Sequence, residues 1–214
     1  MKRRTLVLGG LAGAAGAALL LRPSDRGAPH QPYFTALGEA LDGAGEATPR
    51  LVIDREQLRA NIATLGRHIG DRYHYRIVAK SLPSVPLLQE VMNVSGSNRL
   101  MRFHQPFINR VAEALPQADV LLGKPMPVAA AAAFYRELGD TAFDPSRQLR
   151  WLVDSPERVE QYAALATELG REMLVCIEID VGLHRGGVKD DGELLAMLEL
   201  IQRSPSLSFA GLMG

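Results

Sequence analysis

The chain has 214 residues, enough for one large folded body with a full apolar core. Its 24 basic and 24 acidic side chains cancel, which removes the basic excess expected of a nucleic-acid partner, and 47% hydrophobic against 22% charged residues excludes a disordered chain. One cysteine, Cys176, excludes an intrachain disulfide framework and a cysteine-rich zinc site.

The amino terminus departs from this balance. Residues 1–24 contain Lys2, Arg3, Arg4 and Arg22 and no acid, and an apolar run of 16 residues extends from Leu6 to Leu21. That run is short of the roughly 20 residues that cross a bilayer. A basic start before a short, Gly/Ala-rich apolar stretch predicts an export signal, and the Arg3-Arg4 pair resembles a twin-arginine signal that would send the protein to the periplasm. An uncleaved membrane anchor is the alternative. Residues 25–47 are rich in Gly, Pro and Ala and read as a linker, with a short helix near Phe34 to Leu41. The folded body is expected over residues 48–214.

Within the body, apolar spacing alternates between two periods. Leu51 to Ile53 is a short β-branched run. Asp54 then caps a helix carrying Leu58, Ile62, Leu65 and Ile69. Tyr73 to Ala79 reads as a strand, followed by a helical stripe at Leu87, Leu88, Val91 and Met92. Leu100 to Phe103, Asp119 to Leu122 and Leu149 to Val153 are further strands. The helix between the first two carries Phe107, Ile108, Val111, Ala112 and Leu115, and an Ala-rich helix from Val128 to Leu138 follows the second. Ser155-Pro156 supplies an N-cap and a first-turn proline for a helix with Val159, Tyr162 and Ala166. Met173 to Ile179 is predicted as the longest strand. A helical stripe at Leu194, Leu195, Leu198 and Ile201 and a strand from Leu207 to Leu212 complete the series.

Strands that alternate with helices predict an α/β fold with a parallel sheet under helices. An open doubly wound sheet and a (β/α)8 TIM-type barrel compete. The glycine-rich turn expected after the first strand of the open sheet is missing, since that strand ends in Ala79-Lys80-Ser81. A whole barrel needs about 250 residues. If the fold is a barrel, it is incomplete here: about six βα units are present and the chain stops two units early.

In either architecture the chemistry sits at the carboxyl ends of the strands. Lys80 ends the first, His104 the second, Gly123-Lys124-Pro125 the third and Asp154 the fourth. Glu178 and Asp180 end the fifth and lead into Gly182-Leu183-His184-Arg185-Gly186-Gly187. Alternation puts Arg76, Val78 and Lys80 on one face. Apolar neighbours at a barrel mouth would desolvate Lys80 and favour the neutral amine, the form that attacks an aldehyde; a lysine merely reaching out to solvent is the alternative. The glycines after the fifth strand allow a tight turn that aims Arg185 into the mouth, where a guanidinium can bind a phenolate or carboxylate in forked geometry. An Arg185–Asp180 ion pair pinning the loop is the alternative there. Cys176 reads as a small buried hydrophobe, and His104 and His184 have no metal-ligand spacing.

Taken in order, these segments resemble a known family. Thr48-Pro49-Arg50-Leu51-Val52-Ile53-Asp54 with Leu58 and Asn61-Ile62, then Arg76-Ile77-Val78-Ala79-Lys80, then Ile179-Asp180-Val181-Gly182-Leu183-His184-Arg185-Gly186-Gly187-Val188, then Phe209-Ala210-Gly211-Leu212-Met213-Gly214 are similar to the alanine-racemase-like barrels of fold-type III pyridoxal-phosphate enzymes, in the branch that contains D-threonine aldolase and D-serine dehydratase. The resemblance implies that Lys80 carries pyridoxal phosphate as an internal aldimine and that Arg185 approaches the cofactor's phenolic oxygen. It implies supporting roles for His104, Glu178 and Asp180, and a small amino-acid substrate changed at its α-carbon. A lyase on D-β-hydroxy amino acids, an amino-acid racemase and a non-catalytic cofactor carrier all stay open. Aldolases and dehydratases of the branch usually carry histidine two before the lysine and Thr-His-Lys at and after it; here Val78 and Ser81-Leu82-Pro83 stand instead. The family's phosphate loops, later strands, C-terminal β domain and divalent-metal ligands would follow Gly214, which implies the amino-terminal portion of a longer protein. Members are commonly homodimers, and a twin-arginine route, which exports folded proteins, is compatible with a cofactor loaded before export.

Overall fold

The computed structural model describes residues 27, 29–46, 48–81, 84–182 and 184–214. The expected export segment, residues 1–24, lies outside the described residues. The chain divides between Ile53 and Asp54. On the amino-terminal side, helix α1 (Pro32–Gly43) occupies the stretch read as a linker, with Pro32 in its first turn, where its missing N–H has no partner to lose. Arg50 pairs with Glu46 at 2.7 Å. The run Leu51 to Ile53 is extended but forms no strand, and all three side chains are exposed.

From Asp54 onward, helices and strands alternate. They are α2 (Arg55–Ile69), β1 (Ile77–Val78), α3 (Val85–Ser95), β2 (Arg99–Arg102), α4 (Gln105–Ala114), β3 (Asp119–Leu122), α5 (Val128–Glu137), a single turn α6 (Pro145–Gln148), β4 (Leu149–Val153), α7 (Pro156–Leu169), β5 (Met173–Glu178), α8 (Asp191–Arg203) and β6 (Leu207–Met213). The helix starts follow local chemistry. The Asp54 carboxylate accepts the Gln57 N–H at 3.0 Å, Ser155 Oγ accepts that of Arg158 at 3.2 Å and Asp190 accepts that of Glu193 at 3.0 Å. Gly96 and Gly170 end α3 and α7 in the left-handed conformation.

All six strands are parallel and stand in the sheet in chain order, β1-β2-β3-β4-β5-β6. This order decides between the two architectures. A doubly wound sheet reverses direction at a switch point, whereas here each helical crossover adds the next strand on the same side, as in a barrel wall. β1 and β6 are the two edges of the arc. Leu100, Val120, Leu122, Trp151, Val153, Val175 and Ile177 bury the helix-facing side of the sheet. Trp151 centres an aromatic cluster with Phe134 and Tyr162, each 5.7 Å away between ring centroids, and its indole N–H donates to the Tyr135 hydroxyl at 3.2 Å. Burial pushes the Tyr135 phenol up to about 12.

On the opposite, concave side an ionic cluster joins three strands and their approaches. Arg76 Nη2 lies 2.7 Å from Asp119 Oδ1, and Arg150 Nη1 lies 2.5 Å from Asp119 Oδ2. Arg76 also donates to the carbonyls of Leu100 and Asp119, each at 3.0 Å. Cys176 is buried, as its apolar neighbours in sequence predict, and burial raises its thiol.

Two strand expectations are corrected. The segment read as a strand from Tyr73 pairs only at Ile77 and Val78; at Tyr75 a side chain takes the place of a strand partner, Ser97 Oγ donating to its carbonyl at 2.5 Å. The longest strand is β6, with seven residues, not β5, with six. β6 gains its length through a bulge: Val175 faces Phe209 and Cys176 faces Gly211, so Ala210 is the extra residue and Gly211 takes φ +136°.

Candidate active site

The strands deliver their carboxyl ends to one rim. Lys80 follows β1, Phe103 follows β2, Gly123 and Lys124 follow β3, Glu178 ends β5 and Gly214 follows β6. With Arg185 from the loop after β5 they line one cavity of about 300 Å³. Two residues singled out in the sequence, Lys80 and Arg185, thus share a wall although 105 positions separate them. His104 does not line this cavity: it stands before α4 with its ring edge-on to Phe107 at 5.5 Å.

Lys80 projects from a strand of two residues. Its ammonium sits over the Phe103 ring, 5.0 Å from the centroid. Among the described residues the expected enclosure of this lysine by apolar neighbours is not found: Lys80 and Val78 are exposed, Val78 at 57%. Gly123 leaves room for Phe103: a Cβ at that position would lie 2.3 Å from the ring, which would have to move.

The sequence named Lys124 without giving it a role. The structure places its Nζ 3.4 Å from Glu178 Oε1, across the cavity floor between β3 and β5. Glu178 is buried and Lys124 half-exposed, so the cavity holds a cation–carboxylate pair in addition to Lys80 and Arg185. Beneath the loop after β3, the buried Tyr162 hydroxyl of α7 donates to the Met126 carbonyl at 3.0 Å and fixes the segment that carries Lys124.

Behind the rim, on the helix-facing side, stands Arg102, 1% exposed. Its guanidinium lies over the Phe107 ring at 5.1 Å, and Nη1 donates to the Ala79 carbonyl at 3.0 Å. Desolvation lowers its pKa from the usual arginine value.

The loop after β5 is tied at both ends. Asp180 N–H donates to the Val188 carbonyl at 2.9 Å and Val188 N–H to the Glu178 carbonyl at 2.8 Å. Asp180 Oδ1 accepts the amides of Gly182 at 3.0 Å and His184 at 2.9 Å, while Oδ2 lies 2.8 Å from His184 Nδ1. The alternative Arg185–Asp180 pair is therefore not made: His184, in a left-handed conformation at φ +51°, takes the carboxylate and Arg185 is left to the cavity. The His184 ring, and then the two amides, hold the Asp180 carboxyl below the usual carboxylate range. A folded-state pKa below the unfolded one means that this tie is complete above the ordinary carboxylate range and is lost as pH falls through the lowered value. Amide-exchange protection at Gly182 and His184 is accordingly expected to be level from pH 7 down to about pH 4 and to fall below that. Loss of protection already at pH 6 would contradict the assignment.

The family model of the alanine racemase N-terminal domain matches residues 53–214. The chain belongs to this family. Among curated proteins, a D-threonine aldolase of Arthrobacter sp is 27% identical over 175 residues, covering 77% of this chain and 42% of that protein. Among solved structures, the D-threonine aldolase from Filomicrobium marinum superimposes with a TM-score of 0.65 at 18% identity, covering 77% of this chain and 43% of the other. A D-threo-3-hydroxyaspartate dehydratase gives a TM-score of 0.65 at 22% identity, covering 83% and 46%. Alanine racemases are similar in fold as well. The chain spans less than half the length of these relatives.

Alanine racemase N-terminal domains are pyridoxal-phosphate dependent, and the cavity on this one fits that group by its donor set. A primary amine able to meet an aldehyde and a guanidinium able to meet an anionic oxygen line the same space, which has the size of a small cofactor site. Among the described residues Arg185 forms no ion pair that would withhold it.

Proposed function

We propose that this chain supplies the lysine-bearing wall of a pyridoxal-phosphate enzyme acting at the α-carbon of amino acids, and that its reaction is that of a lyase, an aldolase or dehydratase, on D-β-hydroxy amino acids. The observation that carries the reading is the convergence of Lys80 and Arg185 on one cavity at the carboxyl ends of parallel strands. The aldolase and dehydratase structures, at TM-scores of 0.65, and the 27% identity to an aldolase favour the lyase over a racemase.

When bound, pyridoxal phosphate supplies an electron sink for the pair left on the α-carbon as one of its bonds breaks. The residues of the chain divide the remaining work. Lys80 Nζ would hold the cofactor and would accept or return a proton on its own face. The Arg185 guanidinium would bind the cofactor's anionic phenolic oxygen. Phe103 forms the apolar wall under the Lys80 amine, and the Lys124–Glu178 pair keeps a balanced charge on the opposite side. A divalent metal is compatible with this chemistry; among the described residues no three His, Cys, Asp or Glu side chains cluster to hold one. The export of residues 1–24 is part of the same proposal, and comparing the amino termini of secreted and cell-bound protein distinguishes a cleaved signal from an anchor.

The reaction is tested by incubating the full-length protein, loaded with pyridoxal phosphate, with D-threonine, D-serine and L-alanine. Glycine with acetaldehyde identifies an aldolase, and pyruvate with ammonia a dehydratase. Loss of optical activity without cleavage overturns the lyase in favour of a racemase. No product from any of them overturns catalysis and leaves a cofactor carrier.

A further inference from the structure

We infer that Arg102, buried on the far side of the sheet from the cavity, is the positioning residue for Lys80: it holds the carbonyl of Ala79 and so fixes the end of β1 from which the reactive amine projects. The inference rests on the proposed role of Lys80.

The need for such a device follows from the length of β1. Its ladder to β2 has two registered pairs, Ile77 with Leu100 and Val78 with Met101, and one further bond, from the Ala79 N–H to the Met101 carbonyl at 3.1 Å. A strand this short frays at its end unless side chains hold it. The end is where Lys80 sits, and a small rotation of the backbone at Ala79 would carry the amine away from the cavity.

Arg102 answers that need in a way a core residue would not. Strand alternation turns Leu100 and Arg102 toward the helices, where Leu100 is fully buried and an arginine is out of place. Among the described residues no carboxylate pairs with Arg102, and its Nε has no partner. The guanidinium rests on the Phe107 ring and directs Nη1 to the Ala79 carbonyl at 3.0 Å. Its own main-chain carbonyl accepts the Gly123 N–H at 2.9 Å. One residue thereby ties Ala79, the first residue after β1, to Gly123, the first residue after β3, so the backbones bearing Lys80 and Lys124 are held through a common point. A buried cation without a counter-charge is costly to keep. It persists here with one directed bond, and that bond is to the residue before the lysine.

The test uses the full-length chain in three forms: wild type, Arg102→Met, and Arg102→Lys, which restores a buried donor. Methionine fills similar apolar volume, and replacing a buried charge by an apolar group is often tolerated, so Arg102→Met is expected to unfold within a few degrees of wild type. Two readouts are taken. The first is amide exchange at Ala79, with Val120 and Trp151 as controls in the sheet interior. Arg102→Met is expected to raise exchange at Ala79 on the order of tenfold while the controls do not change, and Arg102→Lys to reverse most of that. The second is reduction with borohydride after incubation with pyridoxal phosphate, with the adduct located by peptide mass spectrometry. The share on Lys80 relative to Lys124 and Lys189 is expected to fall about fivefold or more in Arg102→Met and to recover in Arg102→Lys.

Unchanged exchange at Ala79 overturns the inference, and so does faster exchange at Ala79 with an unchanged Lys80 share, which would make the bond structural only. Absence of a Lys80 adduct in the wild type removes the functional reading instead, and the exchange at Ala79 then decides by itself whether Arg102 holds the strand end. If Arg102→Met does not fold, Arg102→Gln, whose side chain is too short to reach the Ala79 carbonyl, is read in the same way.

Discussion

Lys80→Ala is expected to leave the chain folded and to reduce borohydride-trapped cofactor to background. The side chain is exposed at the end of an edge strand and makes one aromatic contact, with Phe103, so truncation to Ala opens no internal cavity. Its effect on stability is expected to lie within about 0.5 kcal/mol of zero. The chemical effect is of a different order, because no other lysine replaces it in place. Lys124 is half-exposed across the cavity beside Glu178, and Lys189 lies past the loop that carries Arg185. Turnover of any amino-acid substrate is expected to fall on the order of 10³-fold or more, since the residue that holds the cofactor and the base on that face would be lost together. Peptide mass spectrometry of the reduced full-length protein checks the trapping, thermal unfolding the stability and a product assay the turnover. An adduct undiminished in Lys80→Ala, or found on Lys124 in the wild type, would remove Lys80 from its assigned role.

Gly187→Ala has the largest expected effect among substitutions that leave every polar side chain in place. Gly187 sits at φ +91°, and a Cβ there would lie 2.8 Å from the Glu178 carbonyl oxygen, 2.9 Å from the Asp180 nitrogen and 2.9 Å from the Ile179 carbonyl carbon. All three are backbone atoms of the end of β5. They cannot step aside as a flexible side chain would, because Val188 is bonded back to both Glu178 and Asp180. The left-handed conformation and the overlap together are expected to cost about 2–5 kcal/mol, or about 5–15 °C in the unfolding midpoint. The strain falls on the segment that separates Glu178 from Arg185, so cofactor affinity should fall along with stability. Thermal unfolding with and without pyridoxal phosphate measures both. A loss below about 1 kcal/mol would show that the loop relaxes and that the close packing of Gly187 on β5 is not needed. Gly182, also at positive φ but with nothing within 4 Å of its added Cβ, is the comparison: Gly182→Ala is strained by conformation without the overlap.

Several elements were legible from neighbouring residues. Asp119 to Leu122 and Leu149 to Val153 are the strands that their apolar runs predict, residue for residue. The helix begun by Ser155-Pro156 and the one begun by Asp54 start where their caps place them. These features depend on contacts within a few positions, which spacing records directly. The shortness of β1 was not legible, because Tyr73 to Ala79 has strand composition throughout, and only the fold brings Ser97 to the Tyr75 carbonyl. The partner of Asp180 was not legible either: His184 and Arg185 are adjacent in sequence, and only the left-handed turn at His184 decides which reaches the carboxylate.

The chemistry-bearing residues divide in the same way. Lys80 and Arg185 stand out because each ends or follows a strand in a βα series, and the series itself says that such ends gather on one rim. Lys124 meets Glu178 across 54 positions and over an intervening strand, and Arg102 meets Ala79 across 23. One signal of Arg102 was present, an arginine on the face that alternation turns toward the helices; which carbonyl it would find was not.

The sequence by itself determined the alternation of strands and helices, the parallel sheet and the rim that carries Lys80 and Arg185, because periodicity and capping act between near neighbours and parallel crossovers leave few topologies. Only the tertiary structure decided that the strands run in chain order around an arc, that β1 is short and that Glu178, Asp180 and Ala79 are held by Lys124, His184 and Arg102. Those choices depend on which backbone and side-chain groups the folded sheet leaves without a partner, and no local pattern records that.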